Sequence, residues 1–83
     1  MEPNRASSTA DALKAAVEAG LPNAVVEVSS ASPGHYSLIV KSEAFRGRSM
    51  LESHRMVYAT IAGLMSGDAA PVHAIDTLKT IAG

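Results

Sequence analysis

Apolar and polar positions alternate along the chain in two distinct periods. From Ser8 to Ala19, "STADALKAAVEA", Leu13, Ala16 and Val17 share one helical face, and Leu21 extends it. This predicts a first helix near 8–19, capped by Ser8 or Thr9, with Asp11 in the first turn, where the helix dipole favours negative charge. Gly20 followed closely by Pro22 is a stop signal. "AVVEVSS", residues 24–30, is rich in β-branched side chains and predicts a strand. In "YSLIVKS" the period is two: Tyr36, Leu38 and Val40 face one way, Ser37, Ile39 and Lys41 the other. Pro33-Gly34 breaks the chain between these strands and predicts a hairpin with a loop of more than two residues.

After the connector "EAFRGR", where Gly47 permits a sharp bend, Ser49 and Glu52 have the spacing of a capping box. The helix they open is expected over 50–65, ended by Gly67 and Asp68. With Val57 as the reference direction, Met50, His54, Tyr58, Ile61 and Met65 fall on one flank of its apolar arc. Leu64 lies just on the other flank, Arg55 at the edge, and Met56 well away. "PVHAIDTLK" predicts a third strand that includes His73. The order helix, hairpin, helix, strand gives an α+β fold, α-β-β-α-β: a three-stranded mixed sheet with both helices on one face. Residues 1–7 are polar, contain Pro3, and read as a flexible tail before a single domain over 8–83.

Composition narrows the chemistry. At 83 residues and 47% hydrophobic but only 4% aromatic, the core must be built mainly from Ala, Val, Leu, Ile and Met. A domain this small has little room for a deep substrate pocket, which favours a binding module over an enzyme. No nucleophile elbow, phosphate loop or paired-carboxylate site stands out, and no enzymatic activity is expected. With no cysteine, neither a disulfide nor a thiolate metal site can form within the chain. No run of 18 apolar residues and no secretory signal pattern is present, so an intracellular, soluble protein is expected.

Net charge is −1, which gives no global pull toward nucleic acid. Yet Lys41, Arg46, Arg48 and Arg55 place four of the seven basic residues between positions 41 and 55, opposed there only by Glu43 and Glu52. This local patch could contact phosphates, with Lys79 a further candidate, and supports weak, salt-sensitive binding. A Gly-x-x-Gly loop and an aromatic stacking platform are both lacking. On residue type alone, His54 is a half-buried histidine bonded to a nearby carbonyl or side chain, Arg55 a solvated or ion-paired residue, and Tyr58 a packed ring with a wet hydroxyl.

"FRGRSMLESHRMVYATIAGL" resembles the signature of the BolA family: Phe-x-Gly, a spacer, then His-Arg-x-Val-Tyr on a helix. Phe45, Gly47, His54, Arg55, Val57 and Tyr58 occupy those positions. "GHYSLIV" is similar to the family's His-aromatic opening of the second strand, and "VHAIDTLKT" to its terminal Val/Ile-His-Ala-Leu strand. The resemblance runs from about Gly20 to Thr80. It implies an α+β fold similar to class II KH domains, and a partnership with a monothiol glutaredoxin sharing a [2Fe–2S] cluster in iron–sulfur delivery or iron homeostasis. It implies, as the alternative, a DNA-binding transcription regulator.

The chain holds three histidines and no cysteine, so it cannot supply four cluster ligands alone. On the resemblance, a glutaredoxin and its bound glutathione would bring two thiolates, and His73 and His35 the other two ligands. Many family members carry a Cys or an extra His in the first hairpin loop; "SSASPG" offers neither, leaving His35 at its end. His54 and Arg55 are then expected to fix the helix against the sheet, with Arg55 the better candidate for touching a partner or a phosphate. The expected setting is cytoplasmic, or organellar in a eukaryote, with a monomeric apo-protein and a homodimer as the alternative.

Overall fold

The computed structural model describes residues 5–67 and 70–83, with side chains from Thr9 onward. Helix α1 spans Arg5–Gly20, strand β1 Val25–Ser32 and strand β2 His35–Ser42. A short 3-10 turn, Glu43–Phe45, leads to helix α2, Met50–Met65, and strand β3, Ala74–Ala82, closes the order α-β-β-α-β. The strands lie in the order β1-β2-β3, with β1 antiparallel and β3 parallel to β2. This is the expected three-stranded mixed sheet.

Alternation along β2 sorts its side chains between the two faces. Tyr36, Leu38 and Val40 are buried against Leu13 and Val17 of α1 and Val57 and Ile61 of α2, so both helices cover one face. Ile39 and Lys41 lie on the uncovered face, where Ile39 pairs across with Glu27 and Lys79. Phe45 is the ring that closes the core at the far end of β2. There Ser42 donates to the Pro22 carbonyl at 2.9 Å and accepts from the Ala44 amide at 3.1 Å. One buried hydroxyl thus ties the end of β2 to the loop after α1.

Four local expectations are corrected. Helix α1 starts at Arg5, three residues before the expected cap, and takes in residues 5–7 of the expected tail; residues 1–4 lie outside the described residues. Arg and Ala are strong helix formers, so Ser8 and Thr9 sit inside the helix and Asp11 falls beyond its first turn. At the other end Gly20 is the last helical residue, but the left-handed position is Asn23, at φ 51°. Gly20 serves as a close approach: a β-carbon there would collide with the Thr60 side chain of α2.

The hairpin loop has two residues, not more. Pro33, with its fixed negative φ, and Gly34 at φ 79° have the signature of a type II turn, and Ser32 pairs directly with His35. Such a turn mismatches the twist of the flanking strands. One extra residue in β1, between Ser29 and Ser32, absorbs the mismatch as a bulge. The Ser30 hydroxyl spans it, within hydrogen-bond reach of the carbonyls of Ser32 and His35.

Helix α2 has the expected bounds and its capping box: Glu52 N–H donates to Ser49 Oγ at 3.1 Å, and Ser49 N–H to Glu52 Oε1 at 2.9 Å. Its buried face, however, is turned toward the Leu64 flank. Ser53, Val57 and Ile61 are buried and Met56 packs against the core, whereas Met50 is 73% exposed. Helix α1 lies against the Thr60 side of α2, through Gly20, a choice made by tertiary packing and invisible to periodicity alone. Asp68, part of the expected stop, lies outside the described residues; Gly67, at φ 91°, follows the C-cap Ser66.

Candidate functional site

The last correction places the site. Strand β3 begins at Ala74, so His73 precedes the strand and is not part of it. Val72 is buried and its amide donates to the Leu64 carbonyl at 3.2 Å, which pins the segment to the end of α2. The next residue points outward. His73 is exposed, and its amide donates to the Gly34 carbonyl at 2.8 Å; Ala74 N–H donates to the same oxygen at 3.1 Å. The hairpin turn and the entry to β3 are thereby joined through one carbonyl.

The His73 ring rests on Gly34. A β-carbon at position 34 would stand 2.9 Å from both Cγ and Nδ1 of the imidazole, closer than such contacts occur. His35 is the next residue and pairs in register with Ala74. Two histidines separated by 37 intervening residues are therefore neighbours at the end of the sheet where β2 and β3 both start.

A third side chain contacts one of the two histidines. His35 Nδ1 lies 3.0 Å from Asp76 Oδ1, both side chains being nearly half exposed. Asp76 reaches it from a point where the β2–β3 register slips by one residue: Tyr36 pairs with Ile75, but Ser37 pairs with Thr77. Asp76 is the unpaired extra residue, re-aimed as bulged side chains are. Sequence reading did not single out Asp76 or Gly34 for this site. A signal for the bulge exists: Ile75 and Leu78, both packed against the core, are three apart, whereas an unbroken strand would space them evenly.

The basic candidates lie elsewhere. Lys41 is on the uncovered face near the other end of β2, about 20 Å from His35 at ~3.3 Å per residue. Arg46 and Arg48 are exposed in the connector beyond that end, which bends at Gly47, and Arg48 Nη1 is 4.0 Å from Glu52 Oε2. Arg55 is exposed on α2, Tyr58 is 38% exposed, His54 is half-buried and Val57 is fully buried. The expected ligand pair is brought together; the expected phosphate contacts form a separate, solvated region. Among the described residues no group of three or more His, Cys, Asp or Glu has a metal-binding arrangement. Two imidazoles and no thiolate are too few donors to hold an iron–sulfur cluster alone. No helix of the described residues is long and apolar enough to cross a membrane.

The family model of BolA-like proteins matches residues 8–82. The chain belongs to the BolA family. Among solved structures it is similar to a bolA protein homologue from Coxiella burnetii, at 30% identity and a TM-score of 0.69, covering 83% of each chain. BolA1 from Mus musculus shares 31% identity at a TM-score of 0.62, over 86% of this chain and 63% of that one. The BolA domain of SufE1 from Arabidopsis thaliana shares 26% identity at a TM-score of 0.65, over 88% and 92%. A comparison with curated protein sequences gave no match. The BolA-family signature now has a spatial meaning: Phe45 and Val57 fill the core, Gly47 turns the connector, and His35 and His73 both adjoin Gly34.

Proposed function

We propose that this BolA-like chain is a non-catalytic partner of a monothiol glutaredoxin, and that it helps hold a shared [2Fe–2S] cluster in iron–sulfur trafficking or iron homeostasis. The observation that carries this reading is the convergence of His73 and His35 on Gly34, at one exposed end of the sheet. The glutaredoxin and its glutathione would supply the thiolates that this cysteine-free chain lacks. A [2Fe–2S] centre carries one-electron chemistry, and histidine in place of cysteine on one iron raises its potential. The chain's own part is to present two nitrogen donors from a rigid corner: His73 is held by Val72 and Gly34, and His35 by the strand pairing.

The test is anaerobic reconstitution of the chain with a monothiol glutaredoxin, glutathione, iron and sulfide. His73→Ala should still form the apo-complex but change the visible absorption and circular dichroism of the holo-complex. His35→Ala should do so more mildly. A holo spectrum unaltered in His73→Ala would remove the ligand assignment.

DNA binding is the second reading, favoured by the exposure of Arg46, Arg48 and Arg55. It uses the opposite end of β2 from the histidines, so the two activities are separable by mutation.

A further inference from the structure

We infer that Asp76 is a positioning residue that locks His35 in its Nδ1–H tautomer and so makes Nε2 the atom His35 offers to a ligand. The argument begins with the contact. An ionised carboxylate can only accept hydrogen bonds. With Asp76 Oδ1 at 3.0 Å, Nδ1 of His35 must therefore carry the proton. The lone pair of the neutral ring is then on Nε2, across the ring from the carboxylate. Histidines that bind metals are commonly oriented in this way, by a carboxylate on the nitrogen that does not bind.

The contact is made from the bulge. In an unbroken parallel register, Tyr36–Ile75 would be followed by Ser37–Asp76, and the carboxylate would lie on the Ser37 row. The slip gives Thr77 to Ser37 and frees Asp76 to turn back to His35. The sequence feature that breaks the alternation of β3 is thus the one that sets the orientation of a ring two rungs away. His73 is arranged differently but to the same effect. Its Cγ and Nδ1 lie against Gly34, so Nε2, on the far side of the ring, is the nitrogen clear of the turn. The neighbouring histidines both present Nε2, one fixed by a carboxylate and one by steric contact.

The tautomer stands on geometry alone; its use in ligation rests on the cluster reading above. Two measurements separate them. The first is the long-range 1H–15N spectrum of the isolated apo-chain at about pH 8.5, two units above the ordinary imidazole pKa. His35 in the wild type should show the Nδ1–H pattern. Asp76→Ala should relax it to a mixed-tautomer pattern while leaving the His54 signals in place, and Asp76→Glu should restore part of the bias. Should the Ala variant lose its dispersed amide spectrum, Asp76→Asn retains the side-chain shape. Its amide can donate as well as accept, and the lock should again give way to a mixture. An unchanged His35 pattern in whichever of these variants folds would overturn the inference, as would an Nε2–H pattern in the wild type.

The second measurement is retention of the cluster by the holo-complex in a competition with chelator. Asp76→Asn should weaken retention about 10–100-fold, the usual effect of removing such a support. A locked tautomer together with a holo-complex indifferent to His35→Ala would leave the positioning intact and remove His35 from the cluster. A response to His35→Ala with none to Asp76→Asn would leave the cluster reading intact and overturn the role of Asp76 in ligation.

Discussion

The imidazole of His73 lies on the α-carbon of Gly34, 2.9 Å from where any β-carbon would be. One residue therefore meets two demands, since Gly34 also holds φ 79° in the hairpin turn. Gly34→Ala should destabilise the domain by about 1–2 kcal/mol through the left-handed backbone alone. It should also push the His73 ring off its seat. Denaturation measures the first effect, and chemical-shift changes confined to His73 and its neighbours measure the second. A fully native His73 signal in Gly34→Ala would show that the ring does not depend on this contact.

Val57 and Ile61 mark the centre of the buried face of α2. Val57→Asp or Ile61→Asp should leave the chain largely unfolded, because a buried polar group without a partner costs roughly 2–7 kcal/mol and a charge more. Met50→Asp, on the exposed flank of the same helix, should melt close to the wild type. Similar melting of all three variants would mean the buried face is misplaced.

Glu52 gives α2 a defined acid response. The Ser49 backbone amide first, then the Ser49 hydroxyl, hold its carboxyl below the ordinary 4.5; slight desolvation opposes them, and Arg48 and Arg55 assist. Its folded pKa is thus depressed, so its contribution is fully present above 4.5 and lost as pH falls through the lowered value. Glu52→Gln can still accept the Ser49 amide, since Gln also closes a capping box. That variant should retain most of the neutral-pH stability while losing this part of the acid dependence. Ser49→Ala should cost about 0.5–2 kcal/mol at neutral pH. Urea melts at a series of pH values distinguish the two.

For duplex DNA, Arg46→Ala with Arg48→Ala should weaken any binding and reduce the slope of log affinity against log salt by about two units, one per lost phosphate contact. His73→Ala should leave both quantities alone, since it lies near the opposite end of β2. Affinity unaffected by salt and by the arginine changes would exclude this patch as the phosphate contact.

What could be read from the chain divides by the range of the interactions that decide it. The Ser49–Glu52 box is local chemistry, and α2 starts where that pair places it. Alternation assigned Tyr36, Leu38 and Val40 to the core because a two-residue period has only two faces to choose between. Met50 and Met56 were assigned to the wrong sides because a 3.6-residue period leaves the direction of the neighbouring sheet undetermined. In the candidate site, His73 and His35 were legible as residue types within the family motifs. Asp76 was not singled out, since its place depends on a slip in pairing between strands about forty residues apart. The extra residue in β1, and with it the tight two-residue turn, depends on the pairing register of the hairpin, which Pro33-Gly34 alone does not specify.

Strand β3 is paired to the sheet through β2 alone, and both histidines sit where that pairing starts. A ligand that engages His73 and His35 together would bridge the hairpin and the lead-in to β3, like a clasp across the top of a zipper. Opening the strand from that end would require releasing the ligand first. Bound at 100 times its dissociation constant, it would add about 2.7 kcal/mol to the folded state by mass action. Hydrogen exchange at the start of β3 would slow accordingly, so the amides of Ala74 and Ile75 would report occupancy of a site to which they contribute no ligand.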